Sequence, residues 1–430
     1  MGDSSRPSES DDTTMTTKLD SAPLQELLRS IDVPESAYEK AESRYKDLGS
    51  WFERDDALCS DYSPHVYPQG SFRLGTVIRP VGKDGEYDLD LGCRLREGVK
   101  KSTHSQQDLK NLVGQDLEAY RKARGIQEEL EPKHRCWRLI YADDLSFHMD
   151  VVPSIPEDQG ERGLLKEAMV RHGLQDNLAE NVSRHAGAIT DDRLPSYPHI
   201  SPAWRVSNSE GYALWFESRM RQAQLLLEKR AAARIDDLKP WKWKSPLQQV
   251  VQLLKWHRDH MFQKQPDSKP ISVIITTLAG HAYNGEGEVE TALAGVLERM
   301  DQFVNGTIPR VPNPINPSED FADKWPDPTY RHLKLEENFW RWLAKAREDF
   351  KIIATTRDPG QLEKTASEAF GTTLPERSRE LRKHVSLMEK AEQLKSGART
   401  SMAGVIGATG VSNLPHKFYG DEALHPKDQA

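Results

Sequence analysis

The segment Glu86–Leu95, EYDLDLGCRL, constrains the fold more than any other stretch of the chain. Side chains alternate across a strand, so Tyr87, Leu89 and Leu91 share one face while Asp88 and Asp90 share the other. One face must meet a core and the other carries two carboxylates. The run RLIYADDLSFHMDVVPSIP (residues 138–156) alternates again, with Met149 and Val151 facing the core and His148 and Asp150 on the opposite face. Upstream, HVYPQGSFRLGTVIRP (residues 65–80) reads as strands broken at Gly70 and Gly75. A helical segment spans about Gln107 to Arg124. This β–α–β mixture ends at Pro153 and Pro156.

The flanks differ. Residues 1–20 are rich in Ser, Thr and Asp and are expected to be disordered. From Ala22 to Cys59 the apolar residues Leu24, Leu27, Leu28 and Ile31, then Tyr38, Ala41, Tyr45, Leu48 and Phe52, recur near helical spacing. Beyond the β–α–β region the pattern is helical over Gly211–Ile235, Pro246–Phe262, Ile271–Tyr283 and Glu288–Phe303. Pro246 sits at a plausible first helical position. The Pro/Asn-rich stretch VPNPINPSEDFADKWPDP (residues 311–328) reads as a rigid connector. Helices follow from Tyr330 to Ala354 and from Pro359 to Lys395. The division is an amino-terminal core with its helices at 21–160, a helical carboxy-terminal lobe at 161–395, and a flexible tail at 396–430. The fold class is α+β.

Composition excludes several classes. No run approaches the roughly 20 apolar residues of a membrane helix, and the N-terminus shows no apolar stretch of a signal peptide. Three scattered cysteines, Cys59, Cys93 and Cys136, make neither a disulfide scaffold nor a zinc ribbon. A cytoplasmic protein with reduced thiols is expected. The 67 acidic residues outnumber 59 basic ones, against the basic excess that a duplex-binding surface needs. KPWKWK (residues 239–244) is either a local basic-aromatic patch or, the favoured reading, a loop with packed Trp rings.

Two carboxylates on one strand face repel unless a cation lies between them, which suits hard Mg²⁺. Asp150, arriving by the same alternation, gives three carboxylates able to hold two Mg²⁺ ions about 3.5–4 Å apart; Mn²⁺ is a substitute. That arrangement fits in-line attack on a phosphoryl group with departure of pyrophosphate. Gly70 permits close backbone approach in the preceding turn, where amide groups and the Ser71 hydroxyl can cradle a triphosphate. Asp88, Asp90 and Asp150 are therefore the expected catalytic and metal-binding residues.

Together YPQGSFRLGTVIRP, EYDLDLGCRL and FHMDVVPSIP resemble the DNA-polymerase-β-like nucleotidyltransferases. Within that superfamily the chain looks like the bacterial cGAS/DncV-like nucleotidyltransferases (CD-NTases) of CBASS anti-phage systems. The likeness extends over about Ala22 to Lys395 and includes SNSEGYALWF, LLKWHRDHM, KPISVIITTLAGHAY and NPINPSEDFADKW. It implies a mixed-sheet catalytic core, a helical lobe and an active site in the cleft between them. Ser71 would contact nucleotide phosphates; Asp88 and Asp90 would bind both metals. Asp150 would complete the site and help deprotonate the acceptor hydroxyl. Lys255 matches the family's phosphate-binding lysine and Ser272 its phosphate-contacting serine. Snorkelling to solvent remains the alternative for Lys255, and a helix N-cap for Ser272.

Other residues carry two readings each. Arg73 and Arg79 either neutralise triphosphate charge or are solvated. Tyr212 and Trp215 either stack on a base or, the favoured reading, pack in a core. His148 lies beside the metals or bonds a neighbour. His257, His260 and His281 show no ligand geometry. The resemblance implies a synthase making a cyclic di- or trinucleotide messenger from NTPs, ATP or GTP among them, which acts on a separate effector without DNA dependence. A CBASS accessory protein acting on the C-terminus, which ends at Ala430, is a further expectation. The alternatives are nucleotidyl transfer to an RNA 3′ end or a protein, and a non-catalytic nucleotide or RNA sensor.

Overall fold

A computed structural model describes residues 22–81, 86–141, 147–230 and 244–372, with short pieces at 399–400, 406–407 and 411–412. The expected disordered segment 1–20 and most of KPWKWK lie outside the described residues. So does the tail 396–430, apart from those three pieces, which pair as a small antiparallel sheet.

The apolar stripe of α1 (Ala22–Ile31) buries Leu24, Leu27, Leu28 and Ile31. Pro34 opens α2 (Glu35–Phe52), which buries Tyr38, Ala41, Leu48 and Phe52. Then come β1 (Pro64–Pro68), the short α3 (Gly70–Leu74) and β2 (Tyr87–Leu95). The helix α4 (Gln106–Ala123) starts from a capping box, Ser105 with Asp108. It is followed by β3 (Glu131–Pro132), β4 (Trp137–Tyr141) and β5 (Phe147–Pro156). Next are α5 (Gln159–Arg171), α6 (Asp176–Ser183), β6 (Gly187–Ile189) and β7 (Arg205–Ser207). The carboxy-terminal half holds α7 (Ser209–Arg230), α8 (Pro246–Met261), α9 (Ser272–Ala282) and α10 (Val289–Arg299). It ends in the hairpin β8 (Pro312–Asn313) and β9 (Asn316–Asp320), then α11 (Leu335–Thr355) and α12 (Pro359–Phe370).

The main sheet runs β1-β2-β5-β4-β3, with β6 on the far end of β5 and β7 on β6. Among the described residues only β2 and β5 pair in parallel; α4, β3 and β4 make the crossover between them, as a parallel pair requires. The described residues form two hydrophobic cores. One lies under the sheet between α2, α4 and the strands; the other lies inside the helical lobe.

Several expectations change. The run 138–156 is a hairpin of two strands, because β4 turns back antiparallel onto β5. Residues 70–74 form a helix, ended by Gly75 in the left-handed conformation at φ +66°, and 76–80 is not a strand. The sheet also passes the expected boundary at 160, since β6 and β7 follow it. Meanwhile α1 packs in the helical lobe's core rather than under the sheet. The Pro/Asn-rich connector holds the β8–β9 hairpin. No helix among the described residues is long and apolar enough to cross a membrane. Cys59, Cys93 and Cys136 are free thiols.

Under the sheet, the buried Asp116 carboxylate accepts from the backbone N–H groups of Leu58 (3.0 Å) and Cys59 (2.7 Å). Asp116→Ala strands both donors and is expected to lower the unfolding free energy by about 2–3 kcal/mol. Urea denaturation measures this; a change within about 0.5 kcal/mol, the range of an ordinary surface substitution, contradicts it.

Candidate active site

The parallel register of β2 and β5 sets Asp90 beside Asp150 and Asp88 beside His148. The antiparallel register of β4 then sets Arg138 beside Asp150. Because all of these point away from the core, two neighbouring strands deliver three carboxylates to one face. Tyr87, Leu89, Leu91, Met149 and Val151 are buried on the other. Burial pushes Asp90 up to about 6, helped by the charges of Asp150 and Asp88 and opposed by Lys255 and Arg138. Asp88 is largely exposed. Arg138 grips Asp150 with both arms, Nε to Oδ1 at 2.7 Å and Nη2 to Oδ2 at 2.8 Å. That grip holds the guanidinium well above its ordinary range. It occupies about half of the carboxylate's lone-pair sites and leaves the rest open.

Gly70 closes over this face. Its φ is +58°, and a Cβ there would lie 2.1 Å from Asp90 Oδ2. Two constraints thus demand glycine: the left-handed backbone and the carboxylate itself. The Gln69 N–H donates to the Asp90 carbonyl at 2.8 Å and fixes the turn on β2. Ser71, half-buried, lines the cleft, and its carbonyl accepts from the Thr76 N–H at 2.9 Å.

The helical lobe supplies the opposite wall. Ser245 and Gln248 form the capping box that starts α8. From this helix Gln248 Nε2 donates to the Leu74 carbonyl (2.9 Å), Gln252 Nε2 to Val77 (2.6 Å) and Lys255 Nζ to Thr76 (2.9 Å). Lys255 is 6% exposed, which excludes snorkelling. Burial, then the Arg258 charge, pushes it down to about 7, against Asp259 and Asp90. Ser272 is the first residue of α9 but not its cap, since Ile271 holds that position without a side-chain bond. Its hydroxyl instead accepts from Arg258 Nη1 at 3.1 Å, and the same nitrogen donates to the Pro270 carbonyl at 2.8 Å. Lys269 pairs with Asp259 at 2.7 Å. The cleft has a volume of about 1660 Å³ and is lined by Gly70, Ser71, Asp88, Asp90, Lys255 and Ser272. Asn313, Ile315 and Asn316 of the β8–β9 hairpin line it too.

Other candidates have different duties. Arg73 is no free cation: it pairs with Glu210 (2.7 Å) and Glu217 (2.6 Å) of α7, a bond between lobes. The Arg79 side chain donates to the Asp32 carbonyl. Tyr212 and Trp215 are core residues, and the Tyr212 hydroxyl bonds Thr277 at 2.8 Å. His148 pairs with Glu86 and stands 3.7 Å from Asp88. His257 is buried against Asp349 and Trp342. His260 lies against Gly371, and His281 against Trp215 and Phe303. Lys244, the one described residue of KPWKWK, pairs with Asp32 and lies 5.7 Å from the Tyr38 ring.

Among the described residues no group of three His, Cys, Asp or Glu is already closed into a metal-ligand cluster. The donor set still fits a divalent cation. A carboxylate crowded by two others and raised toward neutrality is relieved by a hard cation between them. Sequence reasoning missed Arg138, Gln248 and Gln252. The last two had a signal: Gln248, Gln252 and Lys255 follow an i, i+4, i+7 stripe among the apolar residues Leu247, Val250, Val251, Leu253 and Leu254 of α8.

This is the arrangement that the resemblance to polymerase-β-like nucleotidyltransferases implies. Residues 64–153, from β1 into β5, match the family model of the cyclic GMP-AMP synthase DncV-like nucleotidyltransferase domain, so the chain carries a DncV-like nucleotidyltransferase domain and is an enzyme of that type. It is 29% identical over 337 residues to a c-di-GMP synthase of Roseivirga ehrenbergii, covering 75% of this chain and 79% of the relative. It is 28% identical over 339 residues to the cyclic dinucleotide synthase CdnG of Bradyrhizobium diazoefficiens, covering 74% of each. The fold is similar to that of the Bradyrhizobium diazoefficiens CD-NTase CdnG solved with GTP. There the TM-score is 0.58 at 23% identity, over 85% of this chain and 98% of that one.

Gly70→Ala is expected to displace the Asp90 carboxylate or the turn, cutting activity about 100-fold, the scale of a 1 Å misplacement. Stability should fall by only about 1–2 kcal/mol. A pyrophosphate-release assay beside a thermal melt checks both; full activity contradicts the close approach. For Lys255 the sign is set by linkage. Between about pH 7 and its unfolded value near 10.4 the unfolded chain holds a proton that the folded chain lacks, so stability rises with pH there. Urea denaturation should show the native chain gaining a few kcal/mol on Lys255→Met across that window. An unchanged difference would place Lys255 in water.

Proposed function

We propose that the chain is a Mg²⁺-dependent synthase that joins nucleoside triphosphates into a cyclic dinucleotide messenger and releases pyrophosphate, in bacterial anti-phage signalling of the CBASS kind. The observation that carries the reading is the convergence of Asp88, Asp90 and Asp150 beneath Gly70. Asp88 and Asp90 line a cleft of about 1660 Å³, with Asp150 beside Asp90 on the neighbouring strand; that volume is beyond the roughly 300–1,000 Å³ of a pocket for one small ligand. Two nucleotides side by side fit that volume. The relatives' names, c-di-GMP synthase and cyclic dinucleotide synthase, support a two-nucleotide product. The GTP held by CdnG supports GTP among the substrates.

In this reading Asp88, Asp90 and Asp150 hold two Mg²⁺ ions, for which Mn²⁺ can substitute. Those ions, when bound, lower the pKa of the attacking hydroxyl and neutralise the leaving pyrophosphate. Gly70 admits the triphosphate to within reach of the Ser71 hydroxyl. Lys255 and Ser272 meet its outer oxygens from the helical lobe, with Arg258 positioning Ser272. The acceptor ribose oxygen attacks the α-phosphorus of the donor and gives its proton to the Asp150 side of the site. The bond to the β-phosphate breaks and pyrophosphate leaves. The linear product then turns its own triphosphate to the same place, and a second attack closes the ring. The product would act on a separate effector. Any accessory protein on the C-terminus would meet residues outside those described.

Incubating the protein with all four NTPs and Mg²⁺, followed by mass spectrometry, tests this. A phosphatase-resistant cyclic dinucleotide containing guanine is expected. Label found only on RNA or protein would overturn it. The Asp88→Ala/Asp90→Ala variant should release no pyrophosphate yet melt no lower than the native chain, since removing crowded carboxylates relieves repulsion.

A further inference from the structure

Away from the cleft, α1, α10 and α11 enclose a second cavity of about 510 Å³, within the size range of small-molecule sites. Leu24, Leu293, Leu297 and Phe350 give it apolar walls, and Ala294 stands at its exposed mouth. Into this lining α10 brings Glu290, from its first turn, where aligned peptide dipoles favour negative charge. Glu290 is 8% exposed, and its Oε1 is buried without a hydrogen-bond partner. Asp301 also lines the cavity; one oxygen pairs with Arg347 at 2.9 Å and the other is buried and unbonded. Arg347 is further spent on the Leu297 carbonyl at 2.7 Å, and Lys351 is exposed. The interior therefore holds unmet negative charge.

A buried carboxylate oxygen left unbonded is costly. The lining also offers polar groups on Glu298, Asp301, Arg347, Lys351 and Thr355, but a water bridging to them brings no positive charge to Glu290. We propose that this cavity is a binding site for an amphipathic organic cation, whose ring fills the apolar walls and whose protonated amine bonds Glu290. The site stands independently of the reaction in the cleft, but it is not isolated from it. Both α1 and α10 pack on α8, which carries Gln248, Gln252 and Lys255. At the end of α1 the Ile31 carbonyl accepts from the Arg79 N–H in the segment after the Gly-Ser turn.

Calorimetric titration of the full chain with tryptamine, in the absence of nucleotide, tests the proposal. Skatole serves as the uncharged control and indoleacetate as the anionic one. Saturable tryptamine binding is expected, with both controls about tenfold or more weaker, the effect of one charge-assisted hydrogen bond. Glu290→Gln should weaken tryptamine by about the same factor, and Ala294→Trp, at an exposed position, should block it while leaving the fold intact. Nucleotidyl transfer without tryptamine should be unchanged in both variants. No saturable binding, equal binding of the three compounds, or binding indifferent to both substitutions overturns the proposal.

Discussion

Three carbonyls on the segment after the Gly-Ser turn, those of Leu74, Thr76 and Val77, have side chains of α8 as their partners. The rest of the site depends on those bonds. Residues 76–80 have no strand beside them, so their buried polar groups would otherwise be unpaired, at a cost of about 1–3 kcal/mol each. The turn that presents Gly70 and Ser71 thus belongs by sequence to the sheet but is held in place by the helical lobe. Arg73 adds a second tie, to Glu210 and Glu217 on α7. The position of the lobes and the position of the Gly-Ser turn are consequently one variable.

Electrostatics follows from that geometry. Packing the turn on β2 brings Gly70 against Asp90 and removes water from it, which, with Asp150 and Asp88 nearby, raises its affinity for a proton. The same packing buries Lys255 and lowers its affinity for one. A carboxylate easier to protonate and an amine easier to deprotonate face each other across the cleft, each destabilised in its charged form. Binding a triphosphate with its cations would reverse both penalties. Such a site would thereby favour a ligand carrying both signs of charge.

The parts of this legible in the sequence were those with strict period. Asp88, Asp90 and Asp150 could be placed because alternation on a strand leaves one choice of face, and the parallel register then made Asp90 and Asp150 neighbours. The helices α2, α4 and α8 followed from helical patterning, with Pro246 marking the start of α8. Arg138 was not legible: its meeting with Asp150 exists only because residues 138–156 fold back as a hairpin, and the alternation reads identically in one strand or two. β6 and β7 are three residues each, too short for any period to show. Arg73 looked like a free cation beside the glycines because its partners lie 137 and 144 residues away.

That last difference bears on how an acidic chain handles an acidic substrate. Cations do surround the cleft, but most are already bonded: Arg73 to Glu210 and Glu217, Arg138 to Asp150, Lys269 to Asp259, and Arg258 to Asp259 and Ser272. Among the lining cations, Lys255 and Arg79 are bonded to neutral carbonyls instead. Those two cannot balance a triphosphate, so in the proposed reaction most of the countercharge would arrive with the substrate as divalent cations. The carboxylates of β2 and β5 are where those cations can lodge. A net charge of −8 would then be no obstacle to nucleotide binding, because the protein's own contribution would be to fix where the metal charge sits. Restricting fixed positive charge in this way also leaves the cleft little general attraction for long polyanions, whose affinity rests on many unpaired lysines and arginines.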